Sequence, residues 1–98
     1  MKVAMFRTAE DYIEYAQHER EAIEANYKKE LKRYFDASEN GVGREEFLRW
    51  NNFENLPDAQ KKAVWEEQLD WMLNHCLYLK RKLKKLDGEI RKAETLIK

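Results

Sequence analysis

Apolar residues recur at helical spacing along most of this chain. Residues 9–35 contain no glycine or proline, and apolar side chains recur there every three or four positions above a polar opposite face. Thr8 precedes Glu10 and Asp11, so it is expected to cap this helix while the two acids favour its positive first turn. The apolar stripe consists of Ile13, Ala16, Ile23, Tyr27, Leu31 and Tyr34. Arg20 interrupts it.

A turn and a second, short helix are expected next. Residues 36–43 gather Asp, Ser, Asn and Gly, which stop helices and form turns. A short helix is predicted over about 44–51, followed by a linker. Pro57 suits the first turn of a third helix, predicted over about 57–97.

The third helix carries an uninterrupted heptad pattern. Its a and d positions are Trp65, Leu69, Met72, Cys76, Leu79, Leu83, Leu86, Ile90, Ala93 and Ile97. This alternation is typical of helices that pack knobs into holes, and Gly88 falls opposite the seam. Up to Leu79 the flanking positions are also apolar, whereas beyond it they are charged. The first half should therefore lie in a core, and the second half should meet one partner helix.

Charge supports an antiparallel pairing of the long helices. The chain has 19 basic and 19 acidic residues, yet residues 8–26 hold six acids against one base, and residues 79–98 hold eight bases against three acids. We predict an all-α fold: an antiparallel long-helix hairpin with a short intervening helix and a C-terminal coiled-coil-like helix, in a single domain spanning 1–98.

The sequence favours neither catalysis nor a metal or other cofactor. His75 and Cys76 are adjacent in a helix and point about 100° apart, so they cannot act as base and nucleophile. The segment from Asp36 to Gly41 resembles a calcium loop in its oxygen ligands and glycine, but the twelfth position is Phe47 instead of a bidentate Glu.

Three surfaces are candidates for binding. The end of the heptad seam is the candidate partner or dimer interface: Leu79, Leu83, Leu86, Ile90 and Ile97. A possible basic surface consists of Lys80, Arg81, Lys84 and Lys85, but these residues are interpreted as surrounding the seam with Asp87, Glu89 and Glu94 close by. A possible aromatic patch consists of Trp50, Phe53 and Trp71, for which packing in the core is the simpler interpretation.

We therefore expect a non-catalytic helical protein–protein interaction module, such as an adaptor, subunit or binding-type inhibitor. Leaving the end of the seam in water would forfeit on the order of 6–12 kcal/mol, so a second chain is expected to cover it in a homodimer or with a heterologous partner. The alternative is a small nucleic-acid-associated regulator that uses the basic end of the third helix. One cysteine, no apolar stretch that could span a bilayer and no signal peptide in the first residues favour a cytoplasmic protein without membrane contact.

Overall fold

The computed structural model describes residues 8–97, which form three helices and no strand. These are α1 (Ala9–Asn40), α2 (Arg44–Trp50) and α3 (Asp58–Ile97). The predicted all-α hairpin with a short intervening helix is confirmed. The first seven residues, on which the expected absence of a signal peptide depends, lie outside the described part of the chain.

The first residues of α1 and α3 show how the predicted helix-start residues, Thr8 and Pro57, are used. The Thr8 hydroxyl accepts a hydrogen bond of 3.1 Å from the Asp11 amide, as expected of an N-cap. The third helix begins at Asp58, and the preceding Pro57 carbonyl accepts bonds of 2.9 Å from the amides of Gln60 and Lys61. Pro57 therefore lies just before the helix instead of inside its first turn.

The first helix continues beyond its predicted end near Phe35. Residues 36–40 remain helical, and the buried Ala37 anchors that last turn. Gly41 ends the helix: its amide still donates to the Ala37 carbonyl at 2.9 Å, but its left-handed backbone (φ 69°) then turns the chain away, and the next amide, of Val42, donates back to the Asp36 carbonyl at 3.3 Å. Asp and Asn are tolerated in a last helical turn, whereas the left-handed residue after it favours glycine.

The chain divides into two compact units. The helix-pair unit joins the part of α1 up to Tyr27 to the part of α3 from Tyr78 onward. Here the Tyr12 hydroxyl donates to the Glu89 carboxylate at 2.8 Å, and Ala16 is fully buried. The two helix segments run antiparallel, because the hydrogen bonds pair the start of α1 with the end of α3.

The three-helix unit comprises residues 28–77 and contains all of α2. Leu48 and Trp65 are buried in it, and the Phe47 ring lies 5.6 Å from Trp65 and 6.0 Å from Phe53, measured between ring centroids. Cys76 is also buried, as expected of a residue on the heptad seam. The core of this unit is thus aromatic, with α2 supplying Phe47 and Leu48.

Candidate functional site

The seam residues proposed as a dimer interface are mostly covered within a single chain. Leu83 and Ile90 are each only 8% exposed, Leu79 is buried and Leu86 is half-buried. Ile97, near the end of α3, is 48% exposed. The burial of this line by the chain itself removes the free-energy argument for a second chain, which assumed that these side chains were left in water.

Arg20 explains why α1 covers the heptad seam of α3 more completely than the interrupted apolar stripe of α1 predicted. Its guanidinium Nε donates to Asp87 Oδ1, and its Nη2 lies 3.5 Å from Asp87 Oδ2. The Asp87 carboxylate, by hydrogen bonding first and by its charge second, raises the pKa of Arg20 above its usual range. Arg20 therefore completes the pairing of the two helices at the position where an apolar residue was expected.

The basic residues lie together on the outer side of α3. Successive helical residues are rotated by about 100°, which places six cations within an arc of about 140°. These six exposed residues, called the basic face below, are Lys80, Arg81, Lys84, Lys85, Arg91 and Lys92. Between residues 80 and 97 no carboxylate falls within that arc.

The interpretation of mixed charges around the seam is therefore corrected. Asp87 and Glu89 take part in the contacts with α1, and Glu94 lies about 40° outside the arc. Arg91 and Lys92 were missed by the sequence reasoning. Projecting residues 80–97 of α3 on a helical wheel would have found them, because they repeat the angular positions of the first four cations.

The three aromatic candidates occupy different environments. Phe53 is half-buried against Phe47, in line with core packing. Trp50 is 80% exposed, and Trp71 is 62% exposed with its ring stacked on His75 at a centroid distance of 5.7 Å and an interplanar angle of 5°. Core packing thus accounts for one of the three.

Trp50 stands at a groove within the three-helix unit. This groove, called the aromatic groove below, has a cavity volume of about 650 Å³. Its apolar lining is Val42, Phe47, Trp50, Trp65 and Met72, and its polar lining is Arg33, Asp36, Glu46, Asn51 and Gln68, with Gly43 between α1 and α2. Gly43 has φ 86°, a left-handed backbone conformation that favours glycine, and α2 begins at the next residue.

The described residues contain no group of three or more His, Cys, Asp or Glu side chains that could hold a metal ion. Asp36, Ser38 and Asn40 lie in α1, so they do not form the calcium-type loop considered from the sequence. Burial, and secondarily the negative charge of Glu30, raises the pKa of the Cys76 thiol above its usual range. A buried thiol with a raised pKa is a poor nucleophile.

No protein-family model, no characterised protein and no solved structure shows significant similarity to this chain. Among the described helices, none is long and apolar enough to cross a membrane.

Proposed function

We propose that this chain is a non-catalytic, cytoplasmic interaction module that binds another protein through the aromatic groove. The observation that supports this most directly is Trp50, which is 80% exposed at the groove while Trp65 on the groove's lining is 8% exposed. Tryptophan is enriched among the residues that dominate binding energy at protein interfaces. An adaptor, a subunit of a larger assembly or a binding-type inhibitor would all use such a surface.

The groove has the composition of a binding pocket for a protein side chain. Phe47, Trp65 and Met72 offer apolar contact, and methionine adapts to differently shaped partners. Glu46, on the polar lining, forms no ion pair with the described residues, while Arg33 bonds Glu30 at 3.3 Å. The expected partner therefore inserts one or two apolar side chains beside Trp50 and places a basic residue near Glu46.

Self-association through the end of α3 has weaker support than it had from the sequence. The aliphatic side chains that a second copy could still cover there are Leu96, which is 79% exposed, and Ile97. Two side chains at a helix end fall well short of the roughly 800 Å² per partner of a stable interface.

The proposal can be tested by cross-linking followed by affinity measurement. A photo-reactive amino acid at Asn51, in the groove lining, should capture a partner that the same group at Glu66, exposed on α3 and absent from that lining, does not capture. The purified partner should then bind Trp50→Ala at least about 25-fold more weakly than wild type, the effect of an interface residue worth roughly 2 kcal/mol.

Trp71→Ala is the matched control, because Trp71 is also exposed but does not line the groove. Its affinity for the captured protein should equal that of wild type. Equal losses in both variants, or capture from both cross-linker positions alike, would contradict binding through the aromatic groove.

A further inference from the structure

The basic face of α3 has no role in the proposed protein interaction, since all its residues belong to the helix-pair unit. We propose that it binds the phosphate backbone of double-stranded nucleic acid without reading sequence. Four observations lead to this assignment: the position of the acidic residues, the absence of intramolecular partners, the spacing of the cations and an unexplained glycine.

Of the three carboxylates between residues 80 and 97, Asp87 and Glu89 are held away from the basic face, and the exposed Glu94 lies outside its arc. Asp87 accepts from Arg20 and Glu89 accepts from Tyr12, so both carboxylates are engaged toward α1. The remaining outward charge is uniformly positive across the arc. A chain with equal numbers of acidic and basic residues thus still presents a strongly positive surface locally.

The six cations are available for an external anion. The ion pairs among the described residues use Arg20, Lys32 and Arg33, and none involves a member of the basic face. All six side chains are exposed. Phosphate binding would therefore not need to break an intramolecular ion pair first.

The basic face is long enough to contact several phosphates of a duplex. From Lys80 to Lys92 the helix rises about 18 Å, at roughly 1.5 Å per residue. A duplex of that length carries about ten phosphates, because it bears one negative charge per roughly 1.7 Å of axis. Neutralising phosphates releases condensed counterions, which is the main driving force of sequence-independent binding.

Gly88 lies in the middle of the basic face and has no other explanation in the fold. Its backbone is helical, and a Cβ added to it would meet nothing within 4 Å. Glycine weakens a helix interior, and neither a turn nor close packing requires it here. A missing side chain at this position lets a phosphate backbone approach the helix closely between the two groups of cations.

Two other polyanionic partners fit less well. An anionic membrane would be bound by an amphipathic helix whose apolar side inserts, but Leu83 and Ile90 on that side of α3 are buried. The α1 surface of a second copy carries Glu10, Asp11 and Glu14, but an interface built only from exposed ion pairs would lack an apolar centre.

The test is fluorescence anisotropy with a labelled duplex DNA of arbitrary sequence, titrated with the full chain at several salt concentrations. We expect binding at about 50 mM salt, with log K falling against log salt at a slope of about −4 to −5. Between about 50 and 200 mM salt this corresponds to a loss of affinity of roughly 250- to 1,000-fold. No binding at about 50 mM salt would overturn the proposal.

Charge-neutral variants locate the binding. Lys84→Gln combined with Lys85→Gln should reduce the salt slope by about 2, or about 1 per phosphate contact. Lys82→Gln is the matched control, since Lys82 is exposed on the same helix but lies outside the arc, 5.4 Å from the centre of the Tyr78 ring. If Lys82→Gln reduced the salt slope by as much as each substitution in the double variant does, the assignment of binding to the basic face would be wrong.

Gly88→Gln tests whether the duplex approaches the helix closely at Gly88, without changing the charge of the basic face. It should raise the helix content or leave it unchanged, weaken duplex binding severalfold and leave the salt slope as in wild type, because no cation is removed. Unaltered affinity would show that the duplex does not approach the middle of the face.

Two parallel measurements test the other partners. Tighter binding to vesicles containing phosphatidylserine than to the duplex, with the same dependence on Lys84 and Lys85, would replace nucleic acid by a membrane surface. A dimer by light scattering without DNA, lost in the double variant, would replace it by a second copy. A monomer that binds the duplex and not the vesicles supports the proposal.

Discussion

The helix-pair unit and the three-helix unit share the same two long helices but differ in what they bury and what they expose. In the helix-pair unit the buried side chains are aliphatic or small, such as Leu83 and Ala16, and the outer side of α3 is charged. In the three-helix unit Trp65 and Phe47 pack together, while Trp50 and Trp71 remain exposed.

The difference follows from the presence of α2. Two helices alone can cover only a narrow a/d line, so the rest of each helix must be polar. A third helix gives α3 a second neighbour, and its apolar surface can then widen and include large aromatic rings. The same helix therefore presents a charged outer side in one unit and packs a large aromatic ring, Trp65, in the other.

The largest expected effect of a substitution lies in the aromatic core. Trp65→Ala removes a side chain that is 8% exposed and contacts the Phe47 ring. We expect a loss of roughly 3–5 kcal/mol in the free energy of unfolding, measured by urea denaturation. A loss below about 1 kcal/mol would show that the three-helix unit does not depend on this core.

A smaller loss is expected from the aliphatic line of the helix-pair unit. Leu83→Ala should reduce the free energy of unfolding by about 2–4 kcal/mol, since Leu83 is covered within the single chain. The measurement should give the same value at low and high protein concentration. A stability that rises with concentration would instead restore the dimer expected from the sequence.

Leu83→Ala also tests the single domain predicted from the sequence. All three tryptophans lie in the three-helix unit, so their fluorescence reports unfolding there, whereas far-ultraviolet circular dichroism reports the helices of both units. Because α1 and α3 run without a break through both units, we expect the two signals to shift together in this variant. Separate transitions would contradict a single cooperative domain.

The hydrogen bond of Tyr12 in the helix-pair unit predicts a dependence of stability on pH. Burial first, and then the hydrogen bond to the Glu89 carboxylate, raise the pKa of Tyr12 to about 12 from its usual 10.0. Since the folded state holds the proton more tightly than the unfolded state, this stabilisation is complete below about pH 10 and is lost as the pH rises toward 12.

Tyr12→Phe provides the control for that pH dependence. Urea denaturation at pH 9 and pH 12 should show a smaller loss of stability in Tyr12→Phe than in wild type, because other titrating groups affect both proteins equally. Identical losses would show that folding does not raise the pKa of Tyr12, which would contradict both its burial and its hydrogen bond to Glu89.

The helices were predictable because local signals specify them. Spacing along one helix is enough to predict the Thr8 cap and the heptads of α3. The same holds for the narrowing of the apolar surface of α3 beyond Leu79. The end of α1 was missed because Asp, Ser and Asn are frequent both in turns and in last helical turns, and the left-handed backbone at Gly41 decides between them.

The candidate sites were less predictable because they depend on contacts distant in sequence. Whether Asp87 and Glu89 lie among the cations or against α1 is decided by Arg20 and Tyr12, more than sixty residues away in the sequence. Trp50 could not be distinguished from a core tryptophan by spacing, since a helix of seven residues is too short to define a clear apolar face.

The smallest effect on stability is expected at Trp50, and it gives the sharpest comparison with Trp65. Both are tryptophans that line the same groove, but Trp50 is 80% exposed, so Trp50→Ala should change the free energy of unfolding by no more than about 0.5 kcal/mol. Such a result would agree with the proposal that a partner protein, and not the fold, buries Trp50. Urea denaturation followed by circular dichroism measures this directly, without depending on tryptophan fluorescence. A loss above about 2 kcal/mol would mean that Trp50 packs in the core in solution, and its exposure would then no longer support a protein-binding groove.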